Sequence, residues 1–196
     1  MIPCLRHISY YLFTAIIVFL FFACSNNTEK LPTSLFSLIN EERSNIHFNN
    51  EIIETENINP LQYEYSYSGG GVAIGDVNGD GLDDIFFTGN RVENKLYLNK
   101  GELRFEDVTL KAGVQGRDSW KTGATMADVN SDGLLDIYIC YSGDFPERLR
   151  RNQLFINKGI DSAGNPVFGD EAEQYGLADP SFSMQAAFFD YDRDGD

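Results

Sequence analysis

The chain has 196 residues, of which 42% are hydrophobic and 13% aromatic, so it carries enough apolar material for a packed core and is not disordered throughout. A formal net charge of -15 opposes binding to nucleic acid through its phosphates and makes cations the natural partners. The three cysteines, Cys4, Cys24 and Cys140, build no disulfide framework.

In chain order, residues 8–23 are uncharged and mostly apolar and follow Arg6 and His7, the order of a secretory signal. The run is short for a membrane span. It ends in Phe21-Phe22-Ala23-Cys24, which resembles a bacterial lipobox with Phe21 where leucine is usual. That resemblance implies removal of residues 1–23, lipidation of Cys24 and anchoring in the outer membrane, the side of the membrane being left open. An ordinary signal peptide and a signal anchor are the alternatives. Residues 24–66 read as a polar tether and a lead-in strand, because Leu61, Tyr63, Tyr65 and Tyr67 alternate with polar residues until Gly69-Gly70-Gly71.

Repeats begin there. Asp76 recurs as Asp128, 52 residues on; the run from Asn94 to Gly101 recurs from Asn152 to Gly159, 58 residues on; Phe105 recurs as Phe168, 63 residues on. The growing offset places loop insertions near 142–148 and 161–166. Each copy holds four short β-prone runs, 72–75, 85–88, 95–99 and 104–108 in the first, and 124–127, 137–141, 153–156 and 167–169 in the second. This predicts an all-β partial propeller with two complete four-stranded blades and the start of a third, at about 67–119, 120–182 and 183–196. A solenoid is the alternative. The sequence stops inside its third repeat, so it reads as the N-terminal fragment of a larger protein.

Three turns carry the chemistry. In the first, Asp76, Asn78, Asp80 and Asp84 place side-chain oxygens at positions 1, 3, 5 and 9, with Gly81 at position 6 and the Leu82 carbonyl available at position 7. The second repeats this with Asp128, Asn130, Asp132, Leu134 and Asp136, and the third begins with Asp190, Asp192 and Asp194 and stops at Asp196. Alternate side chains of a tight turn converge, and an all-oxygen set suits calcium better than zinc, which takes His or Cys, or magnesium, which demands a strict octahedron. Asp83 gives way to Leu135 and is therefore not expected to be a ligand. An EF-hand is excluded, since position 12 holds Phe87 and Ile139 where a Glu is required. A bare Asp/Asn/Gly turn without metal is the bland alternative.

These turns resemble FG-GAP or VCBS repeats of the integrin-α-type propeller. With the 94–101 string, Phe105-Glu-Asp-Val-Thr109 and Ala112-Gly-Val114, they are similar to large bacterial VCBS-repeat lipoproteins that often end in an ASPIC/UnbV domain. The resemblance covers about residues 65–196 and implies that the Asp and Asn positions named above bind Ca2+.

Catalytic signals are sparse. His7 falls in the signal and His47 stands alone, which argues against a hydrolytic triad. Gly69, Gly71 and Gly75 are spaced one residue too far apart for a dinucleotide loop. Cys140, inside an apolar run, reads as a buried small side chain, Trp120 as packing between blades, and Arg148, Arg150 and Arg151 as a solvated loop. The sequence thus points to a non-enzymatic, calcium-binding envelope scaffold for an unnamed protein or glycan ligand. A carbohydrate-processing enzyme or its accessory propeller is the alternative, and a lectin a weaker one.

Overall fold

The computed structural model describes residues 36–193. The signal segment with Cys24, and Asp194 and Asp196 of the third turn, lie outside the described residues. The chain divides into two compact units, Met1–Leu38 and Ile39–Asp196, and the regular structure described belongs to the second.

The expected blades form two four-stranded antiparallel meanders. Blade 1 holds β1 (Val72–Gly75), β2 (Asp84–Phe87), β3 (Lys95–Asn99) and β4 (Phe105–Asp107); blade 2 holds β5 (Trp120–Ala127), β6 (Asp136–Ser142), β7 (Gln153–Ile160) and β8 (Pro166–Asp170). Each turn of Asp, Asn and Gly joins the two inner strands of its blade, so that Gly75 pairs with Asp84 and Ala127 with Asp136. Helix is limited, among the described residues, to three single turns: α1 (Glu41–Ser44), α2 (Thr109–Ala112) and α3 (Glu147–Arg150).

Strand alternation sorts the core. Phe86, Leu96 and Leu98 of blade 1 meet Ile137, Ile139 and Phe155 of blade 2 in one cluster, and the opposite face of blade 2 buries Tyr138, Leu154 and Ile156. Each such side chain contributes roughly 1.5–3 kcal/mol on burial. Neighbouring copies of the repeat also join by a backbone bond that recurs: Gly71 N–H donates to the Thr122 carbonyl at 2.7 Å, and its counterpart Gly123 to that of Met184 at 2.9 Å. A Cβ on Gly71 would lie 2.4 Å from the Ala124 nitrogen, and one on Gly123 would lie 2.6 Å from the Met184 oxygen, so both positions need glycine for close approach.

Several expectations need correction. The lead-in strand over 61–67 is a run of turns, because the Asn59 carboxamide oxygen accepts from Leu61 and Gln62 N–H at 3.0 and 3.2 Å and its carbonyl accepts from Gln62 and Tyr63. β5 starts at Trp120, earlier than its apolar pattern, since Lys121 N–H reaches the Asn90 carbonyl of blade 1. The third copy has no strand among its described residues; it lies beside β5 through the Gly123 bond, the Thr122 and Thr125 hydroxyls, which donate to Ser183 and Ala186 carbonyls, and the Gln185 carboxamide, which donates to the Ala124 carbonyl and the Thr125 hydroxyl. The arginine cluster is no simple solvated loop: α3 carries Arg150 over the Phe182 ring at 4.2 Å, and Arg151 pairs with Glu173.

Candidate metal-binding turns

The two complete turns share one hydrogen-bond skeleton. Asp76 accepts from the N–H groups of Gly79, Asp80 and Gly81 at 2.7, 3.2 and 2.7 Å. Asp128 accepts from Asp132 and Gly133 at 3.1 and 2.8 Å. Asn78 and Asp80 are joined by an amide-to-carboxylate bond of 3.0 Å, and Asn130 and Asp132 by one of 2.9 Å. Asp80 and Asp132 each cap the position-7 N–H, of Leu82 and Leu134, at 2.9 Å. Gly81 and Gly133 turn with φ of 84° and 86°, the left-handed bend expected of position 6. The third turn starts in the same way, with Asp190 accepting from Arg193 N–H at 2.5 Å.

Position 9 has a second task. Asp84 is fully buried and takes Val77 N–H on one oxygen at 3.0 Å and Asn99 N–H on the other at 2.8 Å. Asp136 does the same with Val129 and Asn157, at 3.0 and 2.8 Å. Each carboxylate thereby ties the start of its turn to the third strand of its blade. Burial pushes the Asp84 carboxyl up to about 6, the two N–H bonds opposing and the Asp80 and Asp76 charges adding to the rise. Asp136 is raised for the same reason. For Asp76 burial also works upward, but the surrounding N–H groups win and hold it below the ordinary carboxylate range.

Asn99 and Asn157 were legible only as part of a recurring string, yet they latch these turns. The Asn99 carboxamide donates to the Asp83 carbonyl at 3.0 Å and accepts from Gly101; that of Asn157 donates to Leu135 at 3.2 Å, accepts from Gly159, and also reaches the Val77 carbonyl of blade 1 at 2.8 Å. Their recurrence 58 residues apart was the available signal.

Residues 56–139 match the FG-GAP-like repeat. That stretch holds both complete turns and the whole of blade 1. The chain is 33% identical over 131 residues to cartilage acidic protein 1 of Xenopus tropicalis, covering 65% of this chain and 19% of that protein. The human cartilage acidic protein 1 is 32% identical over 120 residues, 60% of this chain and 16% of that protein. Integrin alpha-8 of Gallus gallus is 31% identical over 137 residues, 63% of this chain and 13% of that protein. The chain spans less than a fifth of the length of each. Residues 56–139 are therefore similar to an FG-GAP-like repeat, the chain resembles parts of these proteins, and its two four-stranded antiparallel sheets are those of a partial propeller.

Within the FG-GAP-like repeat, donor chemistry and side-chain placement differ in what they offer an ion. The donors are all oxygen, and a carboxylate oxygen that accepts one N–H keeps a lone pair for a cation. Among the described residues, however, no three acidic, His or Cys side chains are gathered into a formed metal cluster. The turns are held by hydrogen bonds, and an ion would have to draw their side-chain oxygens inward.

The remaining singled-out residues have structural surroundings. Cys140 is buried and its thiol pushed up to about 11 by desolvation. Trp120 is buried edge-on against Tyr63 at 5.2 Å. His47 is exposed, beside Glu41 at 3.6 Å and Asn45 at 3.2 Å.

Proposed function

We propose that the chain is a calcium-stiffened propeller scaffold of the bacterial cell envelope, anchored through lipid on Cys24, which displays blade loops to a protein or glycan partner and is not itself a catalyst. The observation that carries the calcium reading is the repetition of one all-oxygen skeleton in two turns whose sequences differ at positions 4 and 8. The buried position-9 carboxylates add to it: an anion kept in a desolvated place beside two other carboxylates is costly until a cation neutralises it. Homology to integrin alpha-8 supports the binding role. The lipobox and the charge of -15 support the anchor and the preference for cations. Calcium's work in such a scaffold is to fix the turn between the inner strands, so that neighbouring loops keep their spacing.

Calorimetric titration of chelator-stripped protein tests this, with an Asp80→Ala, Asp132→Ala variant beside it. Both residues are exposed and bond only within their own turns, so the variant should retain its sheets. Two calcium sites in the parent and none in the variant are expected. At about 100-fold excess over Kd each site adds roughly 3 kcal/mol of stability. Absence of heat in the parent would leave these as bare turns.

A further inference from the structure

Two stretches stand outside the repeat, the lead-in over 57–63 and the blade 2 insertion near 142–148, and the fold brings them together. Insertions into repeats map to loops on one face, which is often the binding face. The Tyr63 hydroxyl donates to the Ser142 hydroxyl at 3.3 Å and so ties the lead-in to the end of β6. Between the two stretches lies a cleft of about 290 Å3, near the lower limit for small-molecule pockets. Trp120, the chain's single tryptophan, lines its buried side. Gly143 lets the insertion close onto the indole: it turns with φ of 81°, and a Cβ there would lie 2.8 Å from the Trp120 Cβ. Blade 1 has no such place, since Ser68 stands 52 residues before Trp120 and the connection from β2 to β3 is shorter.

The lining sorts by chemistry. Tyr63 and Phe145 are half-buried and offer ring surface. Asn57, Gln62 and Asp144 are exposed at the rim, and their side chains make no hydrogen bond among the described residues. Asn59, Asn90, Asn99 and Asn157, by contrast, all hold backbone groups. An anion is disfavoured, because no Lys, Arg or His lines the cleft among the described residues and the net charge is -15. A cation is disfavoured too, since the Arg91 guanidinium, paired with Asp118 at 3.2 Å, already lies 5.2 Å from the Phe145 ring centre. A wholly apolar ligand would desolvate three polar side chains and give them no partner. What fits is a neutral molecule with a C–H face and a hydroxylated edge.

We propose that this cleft binds one neutral pyranose unit of a glycan, with its C–H face on Tyr63 and Phe145 and its hydroxyls on the Asn57, Gln62 and Asp144 side chains. The assignment rests on the scaffold reading above and selects a glycan as the partner for this face. The cleft sits at the start of β5 and the second metal turn follows its end, roughly 20 Å away, so an ion in that turn would not touch the sugar.

Trp120 fluorescence reports on the cleft. The whole chain in calcium is titrated with methyl glycosides of glucose, galactose, mannose, fucose, rhamnose and N-acetylglucosamine, with choline and sulfate as charged controls. A saturable change with at least one glycoside and with neither control is expected. In an Asn57→Ala, Gln62→Ala, Asp144→Ala variant the same glycoside should bind at least about tenfold more weakly. The three side chains are exposed and unbonded, so the variant's β circular dichroism should match the parent's. Silence from every glycoside, unchanged binding in the variant, or a response to choline or sulfate in place of a sugar would each overturn the proposal. Calcium heats measured on the same samples separate it from the scaffold reading: calcium bound without sugar removes only the cleft assignment, whereas absence of both removes the two together.

Discussion

Blade 1 and blade 2 use the same turn, strand order and latch, and they differ where one of them has a neighbour and the other does not. At position 8 of the turn, Asp83 in blade 1 stands where Leu135 in blade 2 packs into the interblade core, close enough that a Cβ on Gly75 would lie 2.6 Å from it. Asn99 bonds within its own blade, whereas Asn157 also crosses to the Val77 carbonyl of blade 1. Gly69 precedes β1, but its counterpart 52 residues on, Lys121, is buried in β5 with its ammonium on the Arg117 carbonyl at 2.9 Å. Position 8 and the Gly69/Lys121 pair change with the joint, whereas the constant asparagine latches its own turn in both blades and in blade 2 serves the joint as well. Repeat identity therefore marks the turn skeleton, and a constant residue gains a further role where a neighbouring blade is present.

The asparagine latch offers the sharpest test of that division. Asn157→Ala leaves the buried Val77 and Leu135 carbonyls without this donor and the Gly159 N–H without its acceptor, whereas Asn99→Ala strips only the Asp83 carbonyl and the Gly101 N–H. Urea unfolding should show a loss of about 3 kcal/mol for Asn157→Ala and about 1 kcal/mol for Asn99→Ala. Equal losses would mean that the crossing bond to blade 1 adds nothing.

Lys121 comes next in size. Desolvation lowers its ammonium from 10.5 to about 8, with Asp118 raising it, Arg91 lowering it and Glu93 raising it. The folded chain thus releases this proton at a lower pH than the unfolded chain does. The cost is complete below about 8, shrinks as pH rises from there, and is gone above 10.5. That gap corresponds to at most about 3 kcal/mol. Lys121→Met, which also loses the Arg117 bond, should stabilise by about 2 kcal/mol at neutral pH, with the advantage fading at pH about 10. An advantage unchanged with pH would assign the gain to packing. Blade 1 has no such lysine, since Gly69 stands at that position.

The blades were legible because their signals are local. Strand alternation, Asp-Asn-Gly turns and a recurring Asn-Lys-Gly string each need only a few neighbouring residues, and together they placed every strand to within a few positions. The joint was less legible because its partners are distant in the chain. Nothing near Trp120 announces the Asn90 carbonyl that extends β5, and nothing in the tether around Phe48 announces the Phe87 ring on which Phe48 stacks. The tyrosine alternation over 61–67 misled for the opposite reason: Asn59, a strong local turn former, overrode a period of two that has no partner strand to pair with. For the turns, residue types and the positive φ at position 6 were readable, whereas the double duty of Asp84 and Asp136 depended on strand placement.

The smallest expected effect lies at position 4, where the turns differ although their backbones agree. Gly79, Ser131 and Arg193 all adopt positive φ, at 76°, 58° and 63°. For a residue with a Cβ this conformation costs roughly 1 kcal/mol, and glycine avoids that cost while adding freedom to the unfolded chain, which returns about half of the gain. Ser131→Gly should therefore stabilise blade 2 by about 0.5 kcal/mol, and Gly79→Ser should destabilise blade 1 by the same amount, both read from urea midpoints in chelator. The reciprocal signs are the point of the experiment. If both substitutions destabilised, Ser131 would be contributing through its hydroxyl, and the two turns would differ in their bonding as well as in their backbone strain.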